Sequence, residues 1–287
     1  MIVRTRFAPS PTGPLHLGHA LAARVAHALA HQSPGGRFLL RHEDLDGPRV
    51  RAAFYQAIED DLQWLGLGWD GEPLRQASRA AAYDAALTRL RDQELIYPCF
   101  CTRREIQDEW ARMAAAPQGV ESPVYPGSCR SLSRPQQLAK LNSATPHAWR
   151  LDAQRAAALT GPLTFRDLCC GTVAVNPGLL GDVVLARKDI GCAYHLAVVV
   201  DDAFQQITHV TRGDDLLAST HVHRLLQALL GLPEPLYLHH PLVRDEHGQR
   251  LAKRSDSRAI ATLRQSGLTP AEVLALTDPA LPACACF

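Results

Sequence analysis

Two histidines three residues apart, His16 and His19, follow a Pro/Gly turn (Pro9-Ser10-Pro11-Thr12-Gly13-Pro14) at the entrance to helix-forming sequence. At that spacing both imidazoles share one face of a first helical turn, where ring N–H groups, backbone N–H groups and the positive helix end favour phosphate oxygens. Gly18 between them lacks a Cβ and lets an adenine ring approach the backbone. A second group is Cys99-Phe100-Cys101 with Cys129, three thiols that can fill three positions of a tetrahedral zinc site. No histidine lies between His42 and His147, which leaves a carboxylate, a tyrosine or water as the fourth ligand. Gly66-Leu67-Gly68-Trp69-Asp70-Gly71 matches the dinucleotide fingerprint letter for letter. It follows a helical stretch and opens none, so the strand-turn-helix context is missing and the match is set aside.

The elements that must position these groups are legible as alternating periodicities. Residues 2–8 and 37–42 read as strands, and residues 18–30 and 52–65 as helices with apolar residues at helical spacing. A helix over about 79–95 is expected, capped by Ser78. Alternation of this kind predicts a parallel sheet with helices on its faces. The pattern breaks near Pro98, and a Cys-bearing, Pro-rich stretch runs to about Arg134. Strand-like pieces follow at 149–152, 172–175 and 182–187, and the run Leu196-Ala197-Val198-Val199-Val200 before Asp201-Asp202 reads as a buried strand. A strand near 207–211, a helix over 217–230 and a strand over 236–243 resume the alternation.

In the chain of 287 residues 46% are apolar and 21% charged, which excludes disorder. The N-terminus carries no hydrophobic signal region and no run spans a membrane, so a cytoplasmic protein without membrane contact is expected. A formal charge of +1 leaves the question of a nucleic-acid partner open. The 27 arginines and three lysines (Lys140, Lys188 and Lys253) reflect composition before function. Eight cysteines without a signal region point to thiols or metal, not a disulfide framework. Cys169, Cys170 and Cys192 read as core residues, and Cys284 and Cys286 lie in a tail.

His16-Leu17-Gly18-His19 resembles the HIGH signature of class I aminoacyl-tRNA synthetases, and Arg6-Phe7-Ala8-Pro9-Ser10-Pro11-Thr12-Gly13 is similar to its glutamyl subgroup. Arg41-His42-Glu43-Asp44-Leu45-Asp46, the segment from Ala193-Tyr194 to Asp201-Asp202, and Val210-Thr211-Arg212-Gly213-Asp214-Asp215-Leu216 extend the resemblance over nearly the whole chain. Arg250-Leu251-Ala252-Lys253-Arg254-Ser255 stands where that family has its KMSKS loop, with arginine for the first lysine and alanine for the first serine. Lys253 keeps the cation expected to contact phosphates.

The resemblance implies an α/β Rossmann-type catalytic fold with a small zinc-binding insertion and a short C-terminal helical segment. Its divisions are residues 1–97 for the first half of the catalytic domain, 98–134 for the insertion, 135–245 for the second half with connective elements, and 246–287 for the lysine loop and C-terminal segment. It implies ATP and L-glutamate as substrates. Residues Arg6, Phe7, Ala8, Pro9, Ser10, Glu43, Tyr194 and Arg212 would line the glutamate pocket, with Glu43 accepting the α-amino group and the arginines facing carboxylates. His16, Gly18, His19 and Lys253 would hold ATP, and His16, His19 and Lys253, with a magnesium ion bound to ATP, would act in catalysis by charge stabilisation. Similarity to the glutamyl-queuosine tRNA(Asp) synthetases selects Tyr125 as the fourth ligand beside Cys99, Cys101 and Cys129, and one structural zinc per chain. Only 32 residues follow Ser255, too few for helical anticodon-binding domains, so the expected acceptor is queuosine in tRNA(Asp) and the expected state a monomer. Two rivals stand beside this reading: a shortened synthetase charging the 3′ end of glutamate tRNA, and a zinc-containing RNA-binding protein with an inactive nucleotide fold.

Overall fold

The computed structural model describes residues 2–106, 124–189, 191–243, 259–278 and 281–282. The chain begins with strand β1 (Arg4–Phe7), helix α1 (Leu17–His31) and strand β2 (Arg37–His42), followed by α2 (Ala52–Trp64) and the short β3 (Leu74–Arg75). These strands form a parallel sheet in the order β1-β2-β3, with Arg6 level with Leu39. After α3 (Ala80–Asp92) come β4 (Ile96–Cys99), α4 (Arg134–Asn142), β5 (Ala148–Leu151), α5 (Ala153–Thr160), β6 (Thr164–Asp167), β7 (Gly171–Ala174), β8 (Val184–Arg187) and β9 (Gly191–Cys192). The order β4-β5-β8-β9 is an antiparallel sheet carrying the start of the cysteine region at the end of β4. Helix α6 (Tyr194–Phe204), β10 (His209–Gly213), α7 (Leu217–Leu230) and β11 (Leu236–His240) complete the α/β part, and α8 (Ile260–Gln265) and α9 (Pro270–Ala275) follow.

β10 pairs in parallel with β11, which pairs with β6, which turns antiparallel into β7. The two parallel groups meet where Thr208 N–H donates to the Arg4 carbonyl at 3.0 Å and Arg4 N–H donates to Thr208 Oγ1 at 2.7 Å. The spatial order is therefore β3-β2-β1-β10-β11, reversing direction of travel between β1 and β10. In an open α/β sheet that reversal leaves a crevice at the strands' carboxyl ends. Leu21, Val25 and Leu29 of α1 pack with Phe38, Leu40, Ile58 and Leu62 on one side, while Leu90, Leu151, Leu185, Leu196, Leu225 and Leu226 form the core under the antiparallel sheet.

Three expectations are corrected. The apolar run at 196–200 is the buried middle of α6, packed against α3, α7 and β8, so its lack of an exposed face hides the helical period. Ser78 does not cap α3; it lies in a 3-10 turn, its hydroxyl donates to the Arg75 carbonyl at 2.7 Å, and α3 starts at Ala80 without a side-chain cap. Cys169 and Cys170 are exposed in the β6–β7 turn, where Asp167 Oδ1 accepts both their backbone N–H groups, and Cys169 is disulfide-bonded. Cys192 is half-buried. Gly66 and Gly71 take left-handed φ of 73° and 72° in the loop between α2 and β3, with no helix behind them. Among the described residues no helix is long and apolar enough to cross a membrane.

Candidate active site

A cleft of about 630 Å³ opens at the β1/β10 reversal. It brings together Arg6, Phe7, Ala8, Pro9 and Ser10 from β1 and the turn after it, His16 and His19 from α1, Glu43 after β2, Tyr194 from α6 and Arg212 from β10. Gly18 is next to the cleft in the first turn of α1 and does not line it. Lys253 lies outside the described residues. The chain after it resumes at Ala259, which bridges to His16 and also lines the cleft, while Ile260 N–H donates to the Leu15 carbonyl at 2.9 Å.

The start of α1 is built by its histidines. His16 is the N-cap, and its Nδ1 accepts from Gly18 N–H at 3.1 Å; His19 Nδ1 accepts from His16 N–H at 3.2 Å. An Nδ1 that accepts cannot carry the ring proton, so in each neutral ring the proton is on Nε2. The two rings lie 3.8 Å apart, centroid to centroid. A Cβ at position 18 would come within 3.1 Å of His16 Cε1 and 3.2 Å of its Nδ1, so glycine is needed to leave the ring where it is.

Two guanidiniums, Arg6 and Arg212, line the cleft, a third, Arg41, is wholly buried beside Asp202, and their partners differ. Arg6 donates from Nε and Nη2 to the two Asp202 oxygens at 2.9 and 3.3 Å, and Arg41 donates from Nη1 to Asp202 Oδ1 at 2.8 Å. Burial alone would raise the Asp202 carboxyl, but the two guanidiniums outweigh it and hold it at about 2. Among the described residues Arg212 bonds neutral groups, Thr220 Oγ1 at 3.4 Å and His223 Nδ1 at 2.9 Å, and its buried Nε has no partner there. Burial raises Glu43, opposed first by Arg41 and then by Arg6 and Arg212. Burial likewise raises the Tyr194 phenol, which stays protonated and able to donate.

The cysteine group also assembles. The sulfurs of Cys99, Cys101 and Cys129 all lie within 4.8 Å of one another, and Tyr125 Oη sits 3.4 Å from Cys101 Sγ. Backbone N–H groups of Phe100 and Cys129 donate to Cys129 Sγ at 3.4 Å and to Tyr125 Oη at 2.9 Å, which fixes the turn. Arg150 lies 3.9 Å over the Tyr125 ring and puts a cation beside the sulfurs. A hydrogen bond from Cys99 lowers Cys129 to about 6, while the same bond and burial push Cys99 up to about 12. This soft donor set is compatible with zinc.

A second cavity of about 580 Å³ adjoins the cleft, sharing Ser10, Glu43 and Tyr194 with it, and runs between Arg49, Arg187 and His195 towards Tyr125 and Arg150. Sequence reasoning assigned no role to Arg41, Asp202, His195 or His223. Arg41 and Asp202 stood inside quoted motifs, but their pairing spans 161 positions and has no local signal.

This crevice and its cation-rich pocket are those of a class I synthetase: residues 2–277 match the family described as "tRNA synthetases class I (E and Q), catalytic domain", and the chain belongs to that family of ligases. Among its relatives, the Glutamyl-Q tRNA(Asp) synthetase of Rhodobacter capsulatus is 49% identical over 94% of this chain and 97% of its own length, and that of Nocardia farcinica 46% identical over 96% and 84%. Glutamate-tRNA synthetase from Elizabethkingia anophelis superposes with a TM-score of 0.76 at 30% identity, covering 93% of this chain and 54% of that one. A glutamate tRNA ligase from Elizabethkingia meningosepticum, solved in complex with its amino acid, gives 0.73 at 30%. The chain spans about half the length of these solved synthetases.

Proposed function

We propose that this chain activates glutamate with ATP and transfers it to queuosine in the anticodon loop of tRNA(Asp). The observation that carries the amino-acid assignment is the inequality among the three arginines. Arg6 and Arg41 share the single charge of Asp202, and Arg41 also lies 3.8 Å from Glu43, whereas Arg212 lines the cleft and pairs with no acid among the described residues. It is the natural seat of the side-chain carboxylate, with Tyr194 donating beside it and Glu43 accepting the α-ammonium. Glutamine in the same seat would leave a buried guanidinium facing a neutral amide, which supports discrimination of about a hundredfold or more.

The α-carboxylate attacks the α-phosphorus of ATP and pyrophosphate leaves, with no protein nucleophile. His16 and His19 donate from Nε2 to phosphate oxygens at the α1 N-terminus, and Lys253 supplies a further cation. Magnesium, when bound with ATP, would offset phosphate charge. A hydroxyl of the acceptor nucleoside then attacks the adenylate carbonyl from the second cavity, which meets the first at Ser10, Glu43 and Tyr194; the acyl–phosphate bond breaks, and AMP and the hydroxyl proton leave as the glutamyl ester forms. Cys99, Cys101, Cys129 and Tyr125 hold one structural zinc that fixes the far wall of that cavity. The names and 46–49% identities of the relatives support queuosine in tRNA(Asp) as the acceptor, and a cytoplasmic setting agrees with it.

The test is transfer of labelled glutamate to tRNA(Asp) with and without queuosine, and to glutamate tRNA. Label confined to queuosine-containing tRNA(Asp) is expected. Label at the 3′ end of glutamate tRNA would favour the shortened-synthetase reading, for which the 30% identity to solved glutamate-tRNA synthetases speaks. Absence of glutamate-dependent ATP–pyrophosphate exchange would leave only the inactive RNA-binding reading.

A further inference from the structure

The partners that keep Arg212 uncompensated form a connected buried set. His223 is 1% exposed and Thr220 wholly buried, three residues apart on α7 and both facing Arg212 on β10. A guanidinium can only donate, so His223 Nδ1, 2.9 Å from Arg212 Nη1, must be the accepting nitrogen and carry no proton. The ring proton then sits on Nε2, which is 3.1 Å from His195 Nδ1 and donates to it. On the other side Thr220 Oγ1 is 2.9 Å from His239 Nε2, and His239 Nδ1 is 2.6 Å from Asp167 Oδ2. The acid at the end of this chain is thus separated from Arg212 by an imidazole and a hydroxyl. The charged or titratable neighbours of His223 are Arg212, His195, Arg6 and His239, with the Tyr194 ring 5.5 Å away; burial first and the Arg212 guanidinium next keep its imidazole neutral.

We infer that His223 is a positioning and specificity-determining residue: it orients Arg212 as a neutral acceptor and leaves the guanidinium's charge to the substrate's carboxylate. An acidic residue in the same place would orient Arg212 equally well but offset its charge, as the carboxylate of Asp202 offsets that shared by Arg6 and Arg41. A side chain with no acceptor would leave the guanidinium unaimed. Only a neutral acceptor does both jobs, and the adjacent His195 fixes which nitrogen accepts by taking the proton of the other.

This inference rests on the glutamate-activation reading, and ATP–pyrophosphate exchange separates the two. KM and kcat are measured for glutamate, glutamine and ATP with the wild type, H223Q and H223D, beside thermal melting. In H223D the KM for glutamate should rise by about a hundredfold and the preference for glutamate over glutamine fall by at least about tenfold, with the KM for ATP unchanged. H223Q, whose amide oxygen can accept from Arg212, should stay within about tenfold of wild type with the preference kept. If H223D does not fold, H223L decides, because it adds no charge: it should raise the glutamate KM while leaving that for ATP. A glutamate KM that moves less than about threefold in H223D, or equal losses for glutamate and ATP in all variants, overturns the inference. A wild type without glutamate-dependent exchange overturns the functional reading itself.

Discussion

Asp202 is shared by two buried arginines, and its removal should be more costly than that of any surface charge. D202N leaves Arg6 and Arg41, 5% and 0% exposed, sharing one neutral amide. Breaking a buried pair by removing one partner costs about 3–5 kcal/mol, so calorimetry should show a melting temperature lower by roughly ten degrees at neutral pH. The sign of the pH dependence follows from a carboxyl held at about 2, below its unfolded value: the stabilisation is complete above about pH 4 and is lost as pH falls towards 2. Wild type and D202N should therefore converge in acid, and equal melting at pH 7 would contradict the role assigned to Asp202. Arg6, Glu43, Tyr194 and Arg212 were legible because each sits in a short ordered motif. Arg41, Asp202 and His223 were not, because what defines them is burial and a partner far away in sequence.

At the scale of elements, the periodic helices α1, α2 and α7 and the strands β1, β2 and β11 were readable from their apolar spacing, whereas α6 was not. A helix buried on several sides shows the same unbroken apolar run as a parallel strand. Asp201 and Asp202 at its end are tolerated only through their partners: Asp201 accepts from Gln76, Arg79 and Tyr83. Asp61 on α2 has no such set. Burial pushes its carboxyl up to about 6, against a weaker pull from Arg264 on α8. Its folded value is above the unfolded one, so the protonated form suits the fold and a penalty develops as pH rises from about 4 through 6. D61N should raise stability by about 1–2 kcal/mol at pH 7.5 and by nothing measurable at about pH 3, below the unfolded value, read as the difference in melting temperature. The cysteine turn makes another test at this scale. Metal analysis should find one zinc per chain, and its removal by chelator should expose Cys99, Cys101 and Cys129 to thiol reagents before the α1 and α2 core unfolds. Protein purified without chelators and free of zinc would contradict the site.

For the whole molecule, the proposed function divides the reaction between one cavity for small substrates and one for RNA, and salt should tell them apart. The proposed activation would take place among buried groups in the first cleft, where ions of the medium screen little. Transfer needs an RNA held over the second cavity, whose rim carries Arg49 and Arg187. Among the described residues both pair with nearby acids, Asp46 and Asp189, at little energetic gain, and both can turn to phosphate. The net charge of +1 gave no hint of this face, since a local cluster leaves no mark on a balanced total. Raising salt from 50 to 200 mM should leave glutamate-dependent ATP–pyrophosphate exchange nearly unchanged and weaken RNA binding steeply. The logarithm of affinity should fall with the logarithm of salt at about 0.7–0.9 per phosphate contact. R49A and R187A should each reduce that slope by about one contact and lower transfer at limiting RNA, while exchange stays at the wild-type rate. If either variant slows exchange as much as transfer, the second cavity serves activation as well and the division between the two spaces is wrong.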